Sequence, residues 1–457
     1  MEDELSKIIK AGLELGAEFV DARIFMDRNT LVAKNNIEEK VRENCFSGSS
    51  IRVLFKGTWG YGTTQSTDMK SLMTATKKAV KFAKANNKNN FGLAPMKPIK
   101  DRVENKVKIN PHDVSVEEKV SAVEEIFNNA GEDEKIKTIS VSYFDSDNKM
   151  YFSNSEGSYI EQNIISSRAA LSVNARSGNK ITESYDASGG AMGFESVKYF
   201  DEAAIKKIVD YAKLQLNAAK CPKGNITAVV DGSVAGLLAH ESLGHPSEAD
   251  FVMNGRSFLS GLIGKRLADR SVSIIDDATV NGSGKYFYDD EGVRGQKTFI
   301  IKNGILNSYL HSRETSSKFG VESTGNGRTQ GIGRKIFVRM SNTYFDKGDY
   351  KFDEMFEGIK HGIYVIKNLC GMEDPAGGSF YASCLMGFLI ERGEITKPIR
   401  GEVVLTGKVL EILKNITAVG DDVVLNPGSC GKGPEDWVSA GTGGPHLRIE
   451  KIMVGGK

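Results

Sequence analysis

The sequence predicts an α+β protein: two small amino-terminal α/β units followed by a mainly antiparallel β, glycine-rich carboxy-terminal domain that carries a metal site. Three observations lead there. The first 220 residues read twice as helix, sheet, helix; glycine becomes frequent after Cys221-Pro222; and one apolar helix among the later strands ends in His240-Glu241-Ser242-Leu243-Gly244-His245. The expected divisions are 1–100, 101–221 and 222–457, since 457 residues exceed one ordinary domain.

In the first unit, Leu5, Ile8, Ile9 and Leu13 recur at helical spacing and Gly16 suits the stop. Alternating, β-branched sequence from Phe19 to about Thr64 then predicts an antiparallel sheet with a turn at Lys56-Gly57. Helix returns over 67–86, its lysines on a solvated face, and the asparagine- and proline-rich stretch from Asn86 to Pro111 reads as a linker or a long connection. The second unit repeats the order, with a helix at 115–130 capped by Ser115, strands between Ile136 and Ser184, and a helix at about 200–219. Beyond it, strand Asn225–Val230 leads through Asp231-Gly232-Ser233 into the motif helix. Short strand-like runs follow (272–276, 298–301, 335–340, 387–391 and 400–404), with one helix at 352–361, and together they suggest a barrel-like body.

Composition excludes several classes of function. With 60 basic and 59 acidic residues the net charge is +1, which offers no global attraction to nucleic acid or to an anionic membrane. No window approaches a membrane span, the amino terminus is no signal peptide, and the expected location is cytoplasmic. Five scattered cysteines without a CxxC pair argue against a disulfide framework.

The chemistry concentrates in the hexapeptide, which holds two of the six histidines. Imidazoles bind zinc, and an adjacent carboxylate can take a proton from water whose pKa a metal has lowered to near 7. The spacing is unusual. Histidines four apart share a helix face, whereas five apart they diverge by about 140° on a regular α-helix. Either the two are unrelated, or the helix is widened or broken near Gly244, where glycine lowers the cost and Pro246 forbids normal continuation. A third ligand is required, and Cys430, His446, His311, Glu248 and Asp250 are the candidates. Cys430 lies in a glycine-rich loop, Asn426 to Gly433, an unusual setting for an inert core thiol. Gly325 to Gly331 misses the spacing of a dinucleotide fingerprint, and Arg339 and Asn342 either line a peptide groove or form a structural turn.

The HExxxH motif within Ala239 to Phe251 resembles the signature of the TldD branch of the TldD/PmbA family of zinc metallopeptidases. Asp290-Glu291-Gly292-Val293, Arg339 to Thr343, Gly378-Ser379-Phe380, Gly387 to Glu391 and Pro427 to Lys432 are similar to that family's landmarks, in the same order. The resemblance implies one zinc per active subunit held by His240, His245 and Cys430, with Glu241 as general base. It further implies a peptide substrate, an enclosed site restricted to short or unfolded peptides, and a dimer, either of identical chains or with a motif-less TldE/PmbA-like subunit. A scaffold with a structural metal, or a metal-dependent amidohydrolase of a small metabolite, are the alternatives the residues themselves leave open.

Overall fold

A computed structural model describes residues 1–85, 92–433 and 435–456. Its architecture is mixed α+β with mainly antiparallel sheets.

The amino-terminal half is one sheet with helices packed against it. Helix α1 (Glu2–Glu14) buries Leu5, Ile8 and Ile9 of the stripe its periodicity predicts, while Leu13 is exposed. Strands β1 (Phe19–Asn35) and β2 (Glu39–Phe55) form a long hairpin, and β3 (Thr58–Thr64) follows after a tight turn. Lys56 and Gly57 both take positive φ there, 45° and 70°, as a two-residue hairpin turn demands. Helix α2 (Met69–Ala85) completes the first half, and its lysines lie on the exposed side.

The second half begins with β4 (Lys100–Glu104), which pairs parallel to a later strand, so the segment expected as a linker or long connection is partly built into the sheet. The start of that expected linker, 86–91, lies outside the described residues. Helix α3 (Val116–Ala130) carries a capping box, with the Ser115 and Glu118 side chains bonding each other's backbone amides. Strands β5 (Ile136–Asn154), β6 (Tyr159–Ser177) and β7 (Lys180–Gly190) form a meander, and α4 (Glu202–Gln215) packs against β6 and β7.

The two expected units are not separate sheets. Strand β1 pairs with β2 on one side and with β5 on the other, giving the order β3-β2-β1-β5-β6-β4 with β7 on β6. Pairing both edges of β1 satisfies backbone groups that would otherwise face solvent. Each half nevertheless keeps its own core, one under α1 and α2, the other under α3 and α4.

In the carboxy-terminal part, five strands pair into a closed ring: β8 (Gly224–Val230), His361–Asp374, Ser379–Glu391, Val403–Lys408 and Leu447–Gly456. A second, six-stranded sheet includes Ile274–Asp277, Asn342–Phe345 and Gly441–Gly444. Helix α5 (Gly232–Ala239) packs on strands of both, and the largest hydrophobic core surrounds it. Two expectations fail here. The helix at 352–361 is a single 3-10 turn, Asp353–Phe356, because Glu357 already turns extended with ψ 133°. The strand at 335–340 shrinks to Phe337–Val338, since Arg339 and the residues after it turn into buried polar contacts.

Candidate metal centre

Helix α5 is seated before any ligand is reached. Strand β8 is hydrogen-bonded on both edges, and at its end the Asp231 carboxylate caps the helix by accepting from the amides of Ser233 and Val234 at 3.0 and 2.9 Å. All eight residues of α5 are buried, which small and apolar side chains permit. At His240 the helix widens into a π-turn that runs to Gly244, and α-helical backbone resumes at His245–Ser247. This extra residue in the turn brings positions five apart onto one face. The two imidazoles stand with ring centres 5.0 Å apart and planes at 85°. Gly244 leaves the turn room for Met340: a Cβ there would meet the Met340 sulfur at 2.0 Å.

Cys430 arrives from a hairpin of two short strands, Ser429–Lys432 and Glu435–Ser439. One donor atom each from His240, His245 and Cys430 fall within 4.8 Å of one another. Two buried cations hold the hairpin. Arg339 donates to the Cys430 carbonyl at 2.5 Å and to its sulfur at 3.3 Å. Lys432 Nζ lies 2.9 Å from Glu248 and 2.6 Å from Asp250, and donates to the Val338 carbonyl. Glu248 in turn contacts His245 Nδ1 at 3.2 Å, an arrangement that orients the ring and leaves Nε2 to serve as the ligand atom.

These contacts set the charges. Burial pushes the Cys430 thiol up, but the imidazoles of His240 and His245 outweigh it and bring it down to about 5. Burial opposes protonation of both histidines; Cys430 beside His240 and Glu248 beside His245 nevertheless raise their pKa values. Glu248 is held at about 2, because Lys432 and His245 overcome its burial. The residues fit a zinc ion on their own chemistry: two imidazoles and a thiol poised to ionise form a borderline-soft donor set, and His240 Nδ1 is buried without a hydrogen-bond partner.

Glu241 points into the same cavity of about 500 Å³, which His240, His245 and Cys430 also line. Beside it is Glu373, which no sequence pattern marked. A carboxylate oxygen of Glu373, one of Glu241 and a ring nitrogen of His245 lie within 4.8 Å of one another. Burial and its hydrogen bond with Glu241 push Glu373 up to about 7. Gly371 makes the close packing possible, for a Cβ there would lie 2.7 Å from Glu241 Cγ.

The other third-ligand candidates sit elsewhere or serve the site from behind. His311 lies among Tyr309 and Phe319, where burial lowers it to about 4, and His446 bridges Asp422 and Tyr364. Asp250 pairs with Lys432 and Glu248 supports His245. Arg339 and Asn342 are both fully buried, so neither lines a groove. Asn342 donates to the Asp277 carbonyl and accepts from the Gly284 amide, a structural lock between loops.

The model of the PmbA/TldA metallopeptidase C-terminal domain matches residues 223–456, and that of the central domain matches 109–219. The chain belongs to the TldD/PmbA family. A metalloprotease of Methanocaldococcus jannaschii is 39% identical over 97% of this chain and 98% of its own length. A protein of Saccharolobus solfataricus named as a zinc metalloprotease TldD homolog is 31% identical over 98% and 99%. The fold of this TldD/PmbA member is also that of TldE from Thermococcus kodakarensis, with a TM-score of 0.82 at 19% identity, covering 99% of this chain and 100% of that one. Among the described residues no helix is long and apolar enough to cross a membrane.

Proposed function

We propose that this chain is a zinc-dependent peptidase acting on short or unfolded peptides in an enclosed, cytoplasmic site, and that it stands on the catalytic side of its family. The convergence of His240, His245 and Cys430 beside Glu241 in one cavity carries this reading. When bound, zinc supplies a Lewis acid for the scissile carbonyl and acidifies water. Glu241, next to His240 and open to the cavity, accepts the proton of the attacking water and hands it to the leaving amine. Glu373 holds the Glu241 carboxylate toward the cavity through their hydrogen bond. Glu248 keeps His245 oriented, and Arg339 holds the backbone and sulfur of Cys430. The shared fold with TldE supports pairing with a motif-less subunit as well as self-association.

The test is incubation of the zinc-loaded chain, alone and with such a subunit, with an unfolded peptide mixture read by mass spectrometry. New termini should appear with wild type, and Glu241→Gln should slow their appearance by roughly 100-fold or more. Intact peptides in both incubations would reject the peptidase reading, and an undiminished rate in Glu241→Gln would reject the base.

A further inference from the structure

Not every charge in the cavity belongs to the centre. Five acidic or basic side chains besides the three candidate ligands line it: Arg168, Asp186, Glu241, Lys367 and Glu373. Four of them answer one another. Lys367 Nζ lies 2.6 Å from Asp186, which also accepts the Tyr199 hydroxyl, and Glu373 bonds Glu241. Arg168 is different. Its guanidinium makes no hydrogen bond or ion pair with any described residue, and the side chain is exposed.

Its position is set by the fold. Arg168 stands on β6, between Phe144 of β5 and Gly189 of β7, on a strand paired along both edges and not on a loose loop. The neighbouring strand supplies Tyr185, Asp186 and Ala187 to the same cavity, and the Tyr185 hydroxyl donates to the Asn368 carbonyl, which ties β7 to the strand that carries Glu373. Arg168 thus comes from the central part of the chain, whereas the candidate ligands and Glu241 come from the carboxy-terminal part. A planar guanidinium with its donors unused is the side chain best shaped to take a carboxylate by two parallel hydrogen bonds.

We propose that Arg168 is the specificity residue of the cavity, binding a carboxylate of the peptide, either its carboxy terminus or an acidic side chain. The proposal rests on the peptidase reading for its substrate class, but not on catalysis. Lys367 cannot serve instead without giving up Asp186. Arg168 and Glu241 line the same cavity, so binding of the carboxylate selects which peptides present a bond to the centre.

The experiment measures binding by calorimetry to the metal-free full chain, where no peptide is consumed. Three versions of one short peptide are used: free carboxy terminus, carboxy-terminal amide, and amide with aspartate as last residue. Wild type should bind the free acid roughly tenfold more tightly than the amide, the size of a charge-assisted hydrogen bond at a partly exposed site. Arg168→Ala should abolish that difference without weakening the amide, and Arg168→Lys should keep part of it. Recovery of affinity in the aspartate amide assigns the anchor to a side-chain carboxylate as well; no recovery confines it to the chain terminus. Equal binding of acid and amide by wild type overturns the proposal, as does an unchanged preference in Arg168→Ala. Peptide cleavage by the zinc-loaded chain is a separate outcome, so loss of the peptidase reading would be seen apart from loss of the anchor.

Discussion

The helix arm and the hairpin arm of the candidate centre meet at one cavity but are held there by opposite means. The helix arm is fixed by packing: α5 is wholly buried, and its widened turn lies against Met340 with no space for a methyl group. The hairpin arm is a two-stranded sheet of its own, with Ser429 and Gly431 exposed, and charge holds it through Arg339 and Lys432. Packing tolerates little adjustment, since interiors are close-packed. An ionic anchor depends on both partners staying paired, because a buried charge left alone is costly. One arm is thus a fixed jaw, and the other is as secure as its salt bridges.

Substitutions can break this contrast in order of size. Cys430→Ala should have the largest effect, taking zinc from stoichiometric to trace in elemental analysis while the thermal transition of the metal-free protein stays nearly in place. Stoichiometric zinc in that variant would remove the hairpin from the centre altogether. Lys432→Met comes next, leaving Glu248 buried opposite no ammonium; the cost should be about 3–5 kcal/mol in urea unfolding. Alkylation of Cys430 in the metal-free protein should quicken in the same variant, and an unchanged rate would mean that the lysine does not hold the hairpin. The smallest effect is expected on the helix arm. Gly244→Ala should cost about 1–3 kcal/mol by overpacking, with much of it recovered when Met340→Ala is added. If the second change gives no recovery, the loss belongs to the turn's backbone and not to its contact with Met340.

What the sequence disclosed follows the range of each interaction. Helices with a one-sided apolar stripe, such as α1 and α3, were legible because their spacing is local. So was the widened turn, from three neighbouring facts: histidines five apart, Gly244 and Pro246. Cys430 entered through family resemblance and its glycine-rich surroundings, since nothing local ties it to His240. Glu373 left no signal, because a single acid on a strand looks like a solvated one until the fold sets it beside Glu241. Of the two alternatives for Arg339 and Asn342, a groove and a structural turn, local pattern could not choose: polar side chains usually face water, and these two are buried. The pairing of β1 with β5, which fuses the two amino-terminal halves, joins residues too far apart for any short pattern.

The ring of strands around α5 bears on when the protein acquires its chemistry. Strand β8, which delivers the motif helix, is flanked by His361–Asp374 on one edge and by Leu447–Gly456 on the other. A growing polypeptide presents β8 long before either neighbour has left the ribosome, and non-local pairing of this kind forms late. The hexapeptide is therefore synthesised well before it is seated. Until those later segments are made, its histidines have neither the second edge of their supporting strand nor Cys430 beside them, so the candidate metal centre is assembled only after the ring of strands can close.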